Sequence, residues 1–123
     1  MKMNDETGFK NTIILINKEG MGFTDDKNST LQLKLLDTYF NLLLQNDTLP
    51  SAICFYTDGV KLVVEGSPLL EKMTLLEQRG VRLIICSTCL NYFGIADKVR
   101  VGIVGGMPDI IEAQVNADKV VTL

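Results

Sequence analysis

A chain of 123 residues with 46% hydrophobic and 22% charged residues is long enough to bury one core without disulfides or metals. Its net charge of −3 and pI near 4.8, with no basic cluster, argue against nucleic acid and anionic membrane surfaces as partners. Histidine is absent, which excludes Ser-His-Asp and Cys-His catalysis and every metal site that needs a histidine ligand.

The first segment of the chain, residues 1–11, is mostly polar and lacks an apolar run of signal-peptide length. We expect a flexible leader there, followed by a single domain over 12–123. No apolar stretch approaches the ~20 residues that a membrane-spanning helix needs. The three cysteines, an odd number, argue against a closed set of disulfides and favour a reducing compartment, so a cytoplasmic protein is expected.

Apolar segments of strand length alternate with amphipathic segments of helix length along the rest of the chain. The segment Thr12–Ile16 is continuous and β-branched, as in a strand buried on both faces. After a polar loop, Ser29 or Thr30 can cap a helix whose apolar positions run to Leu44. The predicted strands are 12–16, 52–56, 81–85, 99–104 and 119–122, and the later predicted helices lie between Ser67 and Gly80, over 88–93 and over 109–116.

This alternation predicts an α/β fold, a three-layer sandwich with a mainly parallel five-stranded sheet between helices. In such a sheet the loops at the carboxyl ends of the strands form the functional edge. Four loops are therefore candidates for the site, 17–28, 57–61, 86–94 and 105–108.

The clearest chemical signal is Cys86-Ser87-Thr88-Cys89, which directly follows the third strand and enters a short helix. Backbone amides at a helix start stabilise a thiolate. A thiolate can take up sulfane sulfur and hold it as a persulfide, an exchange between sulfur atoms that needs no histidine. Cys86 is therefore the candidate nucleophile, and Cys89 is the thiol that resolves the persulfide or helps to hold it.

Other interpretations of the motif stay open at this level. Cys86 can be a small buried hydrophobe, as Cys54 is expected to be in the second strand, and the chain is then a non-enzymatic binding or assembly protein. Cys86 and Cys89 can also form a redox switch, although the proline usual beside thioredoxin-like motifs is missing. A zinc site needs about four ligands and the pair supplies two, so no resident metal or cofactor is predicted.

Two glycine-containing loops lie at the same predicted edge. Gly20-Met21-Gly22 stands where phosphate-binding loops occur, but the rest of such a motif does not follow. Gly105-Gly106 can offer backbone amides to an anion or a persulfide. In both loops a plain turn is the favoured interpretation, because the backbone freedom of glycine explains the pattern.

The run Cys86-Ser87-Thr88-Cys89-Leu90-Asn91-Tyr92-Phe93-Gly94 resembles the region around the sulfur-carrying cysteine of the DsrE/DsrF-like family. Within that family it is most similar to the C-terminal domain of YedF-type selenium-metabolism proteins. The resemblance extends in order from Thr12 to Leu123. Further matching stretches are Gly20-Met21-Gly22, Leu49-Pro50, Asp58-Gly59-Val60-Lys61-Leu62, Glu65-Gly66-Ser67, Leu76-Glu77-Gln78-Arg79-Gly80-Val81 and Val101-Gly102-Ile103-Val104.

The resemblance implies a DsrE-like sulfur-relay domain in which Cys86 carries sulfur or selenium between partner proteins. It implies sulfur donor and acceptor proteins as partners, a TusA-like protein among the candidates, and a homo-oligomer. Whether the chain is a sulfurtransferase-like enzyme or a carrier is left open. The chain departs from the subgroup at Ser87, where glycine is usual, and at Gly105-Gly106, where Thr-Asn is usual. It contains no Cys-Pro motif of the TusA-like kind, so either the donor and acceptor are separate proteins or the relay role has been lost.

Overall fold

The computed structural model describes residues 9–25, 28 and 30–123. Most of the predicted leader and the predicted cap Ser29 lie outside the described residues. Phe9 packs partly against the core, and its carbonyl accepts a hydrogen bond of 2.9 Å from the Thr12 amide just before the first strand.

Five parallel strands form one sheet in the order β4-β3-β2-β1-β5, as the alternating pattern predicts. The fourth strand is shorter than predicted. Gly102 takes a φ of 93° and turns the chain, and Val99 makes an isolated antiparallel bridge to Val64 instead. The strands are β1 Thr12–Ile16, β2 Ala52–Phe55, β3 Arg82–Cys86, β4 Ile103–Gly105 and β5 Lys119–Thr122.

The helices follow the predicted positions with small shifts at their ends. Helix α2 begins after a turn in which the Ser67 hydroxyl accepts a hydrogen bond from the Leu69 amide at 3.1 Å. Helix α4 takes in Met107 and Pro108, which the sequence assigned to a turn, because proline is favourable in the first helical turn. The helices are α1 Thr30–Gln45, α2 Leu70–Gln78, α3 Ser87–Phe93 and α4 Met107–Asn116, with 3₁₀ segments at Thr57–Val63 and Ala96–Lys98.

Helices cover both faces of the sheet. From β1 to β4 the chain crosses the sheet in one direction, and from β4 to β5 it returns in the other direction. Right-handed crossovers therefore place α4 on the face of the sheet opposite to α1 and α2. In agreement, α1 packs on α2, and α4 packs on β3 and β4. No helix in the described part of the chain is long and apolar enough to cross a bilayer. The fully buried large side chains are Phe40, Phe55, Ile13, Ile14, Ile16, Leu36, Ile53, Leu62, Leu69, Met73, Leu76 and Leu83.

The parallel arrangement brings the carboxyl ends of the strands to one edge. Cys86 ends β3 and lies in register with Gly105 of β4, while the Tyr56 amide after β2 donates to the carbonyl of Ile16 at the end of β1. The loops that follow β1, β2, β3 and β4 therefore start side by side, and any site they share lies at this edge.

Candidate functional site

Cys86 is the last residue of β3 and the N-cap residue of α3. Cys86 is only 2% exposed, so its sulfur is not open to a donor in the folded chain. The physical reason is the immediate chain reversal: α3 starts at Ser87, packs against β3, and closes over the strand end. Access to Cys86 therefore depends on its neighbours.

Cys89 lies in the first turn of α3 and is half-buried. The Thr57 amide, 32 residues earlier in the chain, donates a hydrogen bond of 3.1 Å to the Cys89 sulfur. Helix α3 has only seven residues. Among the described residues, the backbone amide that faces a thiol of this motif thus comes from the loop after β2 and points at Cys89, whereas the sequence had favoured the helix start and Cys86.

The conformation of Thr57 is unusual. Its φ is 50°, a left-handed value that β-branched residues rarely adopt. The turn is held because the Gly59 amide donates to the Tyr56 carbonyl at 2.9 Å and the Gly59 backbone lies directly against β1. A Cβ at position 59 would stand 2.1 Å from the Ile16 carbonyl oxygen. Strained backbone of this kind, fixed by its surroundings, is typical of functional sites.

The two thiols of the motif lie close enough to influence each other's ionisation. Burial raises the pKa of the Cys89 thiol, the Thr57 amide lowers it, and the side-chain hydrogen bond with Cys86 and the charges of Cys86 and Asp58 raise it. The net direction is upward. At neutral pH Cys89 is therefore mainly a protonated thiol. Its anion, once formed, is stabilised by the hydrogen bond from the Thr57 amide.

The third cysteine belongs to the core, as predicted. Cys54 lies within β2 with a side chain that is 0% exposed. Burial raises the pKa of this thiol to about 11, partly opposed by the positive charge of Arg82. A thiol that is buried and protonated in this way is inert as a nucleophile.

A charged cluster that sequence analysis missed borders the thiols. The Lys61 ammonium lies 2.9 Å from Asp58, 3.7 Å from Glu19 and 4.3 Å from the centre of the Phe93 ring. Its pKa is raised, mainly by the hydrogen bond with Asp58. Lys61 thereby links the loops after β1 and β2 to the end of α3. The available signal was Asp58 and Lys61 at i,i+3 in a predicted edge loop.

The two glycine-containing loops are plain turns. The Gly106 amide donates a hydrogen bond of 2.8 Å to the Asp109 carboxylate, so it is already engaged in capping α4. Gly20 lies so close to Gln32 that a Cβ would come within 2.5 Å of that side chain, and the Met21 amide donates to the Gln32 carbonyl at 2.9 Å. These contacts support the favoured interpretation of both loops.

Taken together, the fold and the site define a class: a parallel α/β domain that carries two free thiols of one short motif at the carboxyl edge of its sheet. A sequence model described as the DsrE/DsrF-like family matches residues 11–123. The chain belongs to this family, in agreement with the resemblance noted above. No curated protein matches the sequence.

Solved structures share the fold at low sequence identity. The ychN protein from E. coli superposes with a TM-score of 0.65 at 19% identity, covering 91% of this chain and 98% of that one. A protein of unknown function, MTH1491 from Methanobacterium thermoautotrophicum, gives 0.64 at 20% identity, covering 94% and 99%. BT1422 from Bacteroides thetaiotaomicron, also of unknown function, gives 0.58 at 18% identity, covering 92% and 95%. At this level of identity the likeness extends to the fold alone.

Proposed function

We propose that this chain is a sulfur-relay protein that accepts sulfane sulfur and holds it as a persulfide on Cys86, with Cys89 taking part in the exchange. The observation that carries the proposal is the placement of two free thiols of one motif at the carboxyl edge, where Cys86 is buried and Cys89 is half-buried. Membership of the DsrE/DsrF-like family supports a relay role.

The chemistry suits the residues that are present. Attack of a thiolate on the outer sulfur of a persulfide R–S–SH forms a new persulfide and releases R–S⁻. The step moves one sulfur atom and consumes no oxidant, metal or cofactor. Since the pKa of Cys89 is raised, the fraction of reactive anion increases as the pH rises above neutrality. The protein therefore works as a carrier that exchanges sulfur when a donor is docked.

The partners that follow from this proposal are a donor protein and an acceptor protein, each presenting a thiol or persulfide. A TusA-like protein fits either role. Selenium in place of the outer sulfur would use the same displacement. Free thiols are required for the exchange, so the protein is assigned to the cytoplasm, where thiols are kept reduced.

The test is sulfur loading followed by intact-mass measurement. After incubation with a persulfide donor and removal of that donor, the wild-type chain should retain one extra sulfur, mapped to the peptide that contains Cys86. Cys54→Ala is the matched control and should load like the wild type, because its thiol is in the core. Equal retention by Cys86→Ser would refute the assignment, and no loading of the wild type would refute the relay function.

A second function, a reversible disulfide between Cys86 and Cys89, is favoured by the placement of these two free thiols at the N-cap and in the first turn of one helix. Mild oxidation should then lower the mass by two hydrogens, and a reductant should restore it. Cys89→Ser should show no such change. If the wild-type chain forms no intramolecular bond under these conditions, the switch is eliminated while the relay proposal stands.

We also propose that a second copy of the chain binds an exposed apolar stripe on α4. Met107 and Ile111 are each 50% exposed and Val115 is 75% exposed, at spacings of four residues along one helix face. The neighbouring Ile103 on β4 is 64% exposed. The stripe is symmetric about Ile111, so an antiparallel copy would set Met107 against Val115 and Ile111 against itself, as an isologous interface requires.

A further inference from the structure

The two thiols differ in access, and this difference sets an order for the relay. Cys86 is 2% exposed, whereas Cys89 is half-buried and accepts a hydrogen bond from the Thr57 amide after β2. A donor persulfide must bring its outer sulfur into contact with the attacking sulfur. From the geometry we propose that Cys89 is the receiving thiol, which takes sulfur from the donor, and that Cys86 is the holding thiol, which takes it from Cys89. The inference rests on the proposed relay function.

The Thr57 amide supports this order. It lies 3.1 Å from the Cys89 sulfur and is directed at it by a turn that cannot relax easily, since Gly59 is packed against the end of β1. Cys89 carries negative charge twice in the proposed sequence, once before it attacks the donor and once when it gives the sulfur up. A fixed N–H donor at that sulfur favours both events.

Each of the two sulfur transfers breaks one S–S bond and forms another. The Cys89 thiolate attacks the outer sulfur of R–S–SH, the donor S–S bond breaks, and R–S⁻ leaves, which gives Cys89–S–SH. The Cys86 sulfur then attacks the outer sulfur of Cys89–S–SH. The new bond forms at Cys86, and the electron pair of the broken bond stays on Cys89. The Cys89 sulfur takes up a proton as the Cys86 thiol loses its own. One sulfur atom has moved and nothing has been oxidised.

The second transfer protects the sulfur from thiols in solution, because Cys86 is buried. An exposed persulfide is open to any thiol in solution, because the rate of exchange depends on access to the sulfur. Transfer to Cys86 moves the cargo to the junction of β3 and α3, where the residue is 2% exposed. An acceptor protein would then recover the sulfur through Cys89, by the same two steps in reverse. Cys89 thus exchanges sulfur with both the donor and the acceptor.

The experiment follows sulfur on each cysteine over time. The chain is mixed with glutathione persulfide, samples are quenched by alkylation, and the peptides containing Cys86 and Cys89 are weighed. In the wild type, sulfur should be found on Cys89 first and on Cys86 later. Cys89→Ser should slow the arrival of sulfur at Cys86 by roughly tenfold or more, because direct access to Cys86 is blocked. Cys86→Ser should load Cys89 at the wild-type rate and lose the sulfur to added thiol.

Serine can still accept the hydrogen bond from Thr57, so Cys89→Ser is expected to fold, and Cys54→Ala serves as the control for loss of an uninvolved thiol. Iodoacetamide applied to the unloaded wild type provides a second measurement, and Cys89 should be alkylated before Cys86. The inference is overturned if Cys89→Ser loads Cys86 at the wild-type rate or if Cys86 is alkylated first. The proposed function fails separately, if no cysteine of the wild type gains sulfur.

Discussion

Replacing Gly59 by alanine tests whether the turn after β2 is locked against β1. The added Cβ would lie 2.1 Å from the carbonyl oxygen and 2.8 Å from the carbonyl carbon of Ile16. Both atoms are backbone at the end of a buried strand, so they cannot move aside as a flexible side chain would. Relief requires the turn to withdraw by about 1 Å, since non-bonded carbon atoms settle at roughly 3.5 Å.

The energetic cost can be estimated from the contacts that this withdrawal disturbs. Overpacking in a well-packed region costs about 1–3 kcal/mol. Loss of the hydrogen bond from the Tyr56 amide to Ile16, 3.1 Å long, adds about 1 kcal/mol. We therefore expect Gly59→Ala to lower the free energy of unfolding by about 2–4 kcal/mol. The same displacement moves the Thr57 amide away from Cys89 and should raise the pKa of that thiol further.

Urea unfolding measures the first effect, and the pH profile of Cys89 alkylation measures the second. Gly66→Ala is the matched control: Gly66 has a φ of 91° but nothing within 4 Å of its Cβ position. It should cost only the ~1–2 kcal/mol of left-handed backbone strain and leave the thiol profile unchanged. The reasoning is refuted if Gly59→Ala is as stable as the wild type or is no more destabilising than Gly66→Ala.

Three further predictions concern charge, pH and assembly. Lys61→Met removes the partner of Asp58 and should slow Cys89 alkylation at neutral pH. The stability change should stay below about 1 kcal/mol, because the pair is partly exposed to solvent. Lys72→Met, which breaks the 2.6 Å pair with Asp37 on α1, is the control, and identical alkylation profiles of the two variants would contradict the expectation. Burial holds the pKa of Cys54 at about 11 in the folded chain, whereas the unfolded chain releases this proton near 8.5. The free energy of unfolding should therefore fall by roughly 3 kcal/mol between those pH values in urea titrations, and Cys54→Ala should lose most of this slope. An unchanged slope in Cys54→Ala would remove Cys54 as its source. Ile111→Asp should shift the wild-type oligomer to monomer in sedimentation equilibrium, because a charge would be buried at the centre of the interface. Leu75→Asp, at a 42% exposed position on α2, is the control and should leave the oligomer intact. A monomeric wild type would rule out the α4 interface.

The fold was largely predictable from local pattern. The run of β-branched residues in Thr12–Ile16 and the spacing of Leu36, Phe40 and Leu43 in α1 match the strand and helix of the structure. The error at β4 has a local cause as well, but one that composition does not display. Gly102 is compatible with a strand in the sequence, and only its packing against Leu83 and Ile85 shows why the chain turns there.

The sequence indicated where the candidate thiols lie in the fold but not which residues of other segments surround them. Cys86 and Cys89 are three residues apart in the sequence, so they fall within the N-cap and first turn of one helix. Thr57 and Lys61 belong to a different loop and become neighbours of the thiols only when β2 and β3 pair in the sheet. No spacing rule along one segment identifies such a partner.

By itself, the sequence determined the alternation of strands and helices, the placement of the thiol motif at a strand end, and the absence of histidine chemistry. These properties depend on residue type and short-range periodicity, which the chain carries whether or not it is folded. The tertiary structure decided which thiol is buried, which one receives the Thr57 amide, and which charges surround them. Exposure and hydrogen bonding are set by segments that lie far apart in the chain, and those segments meet only once the sheet has formed.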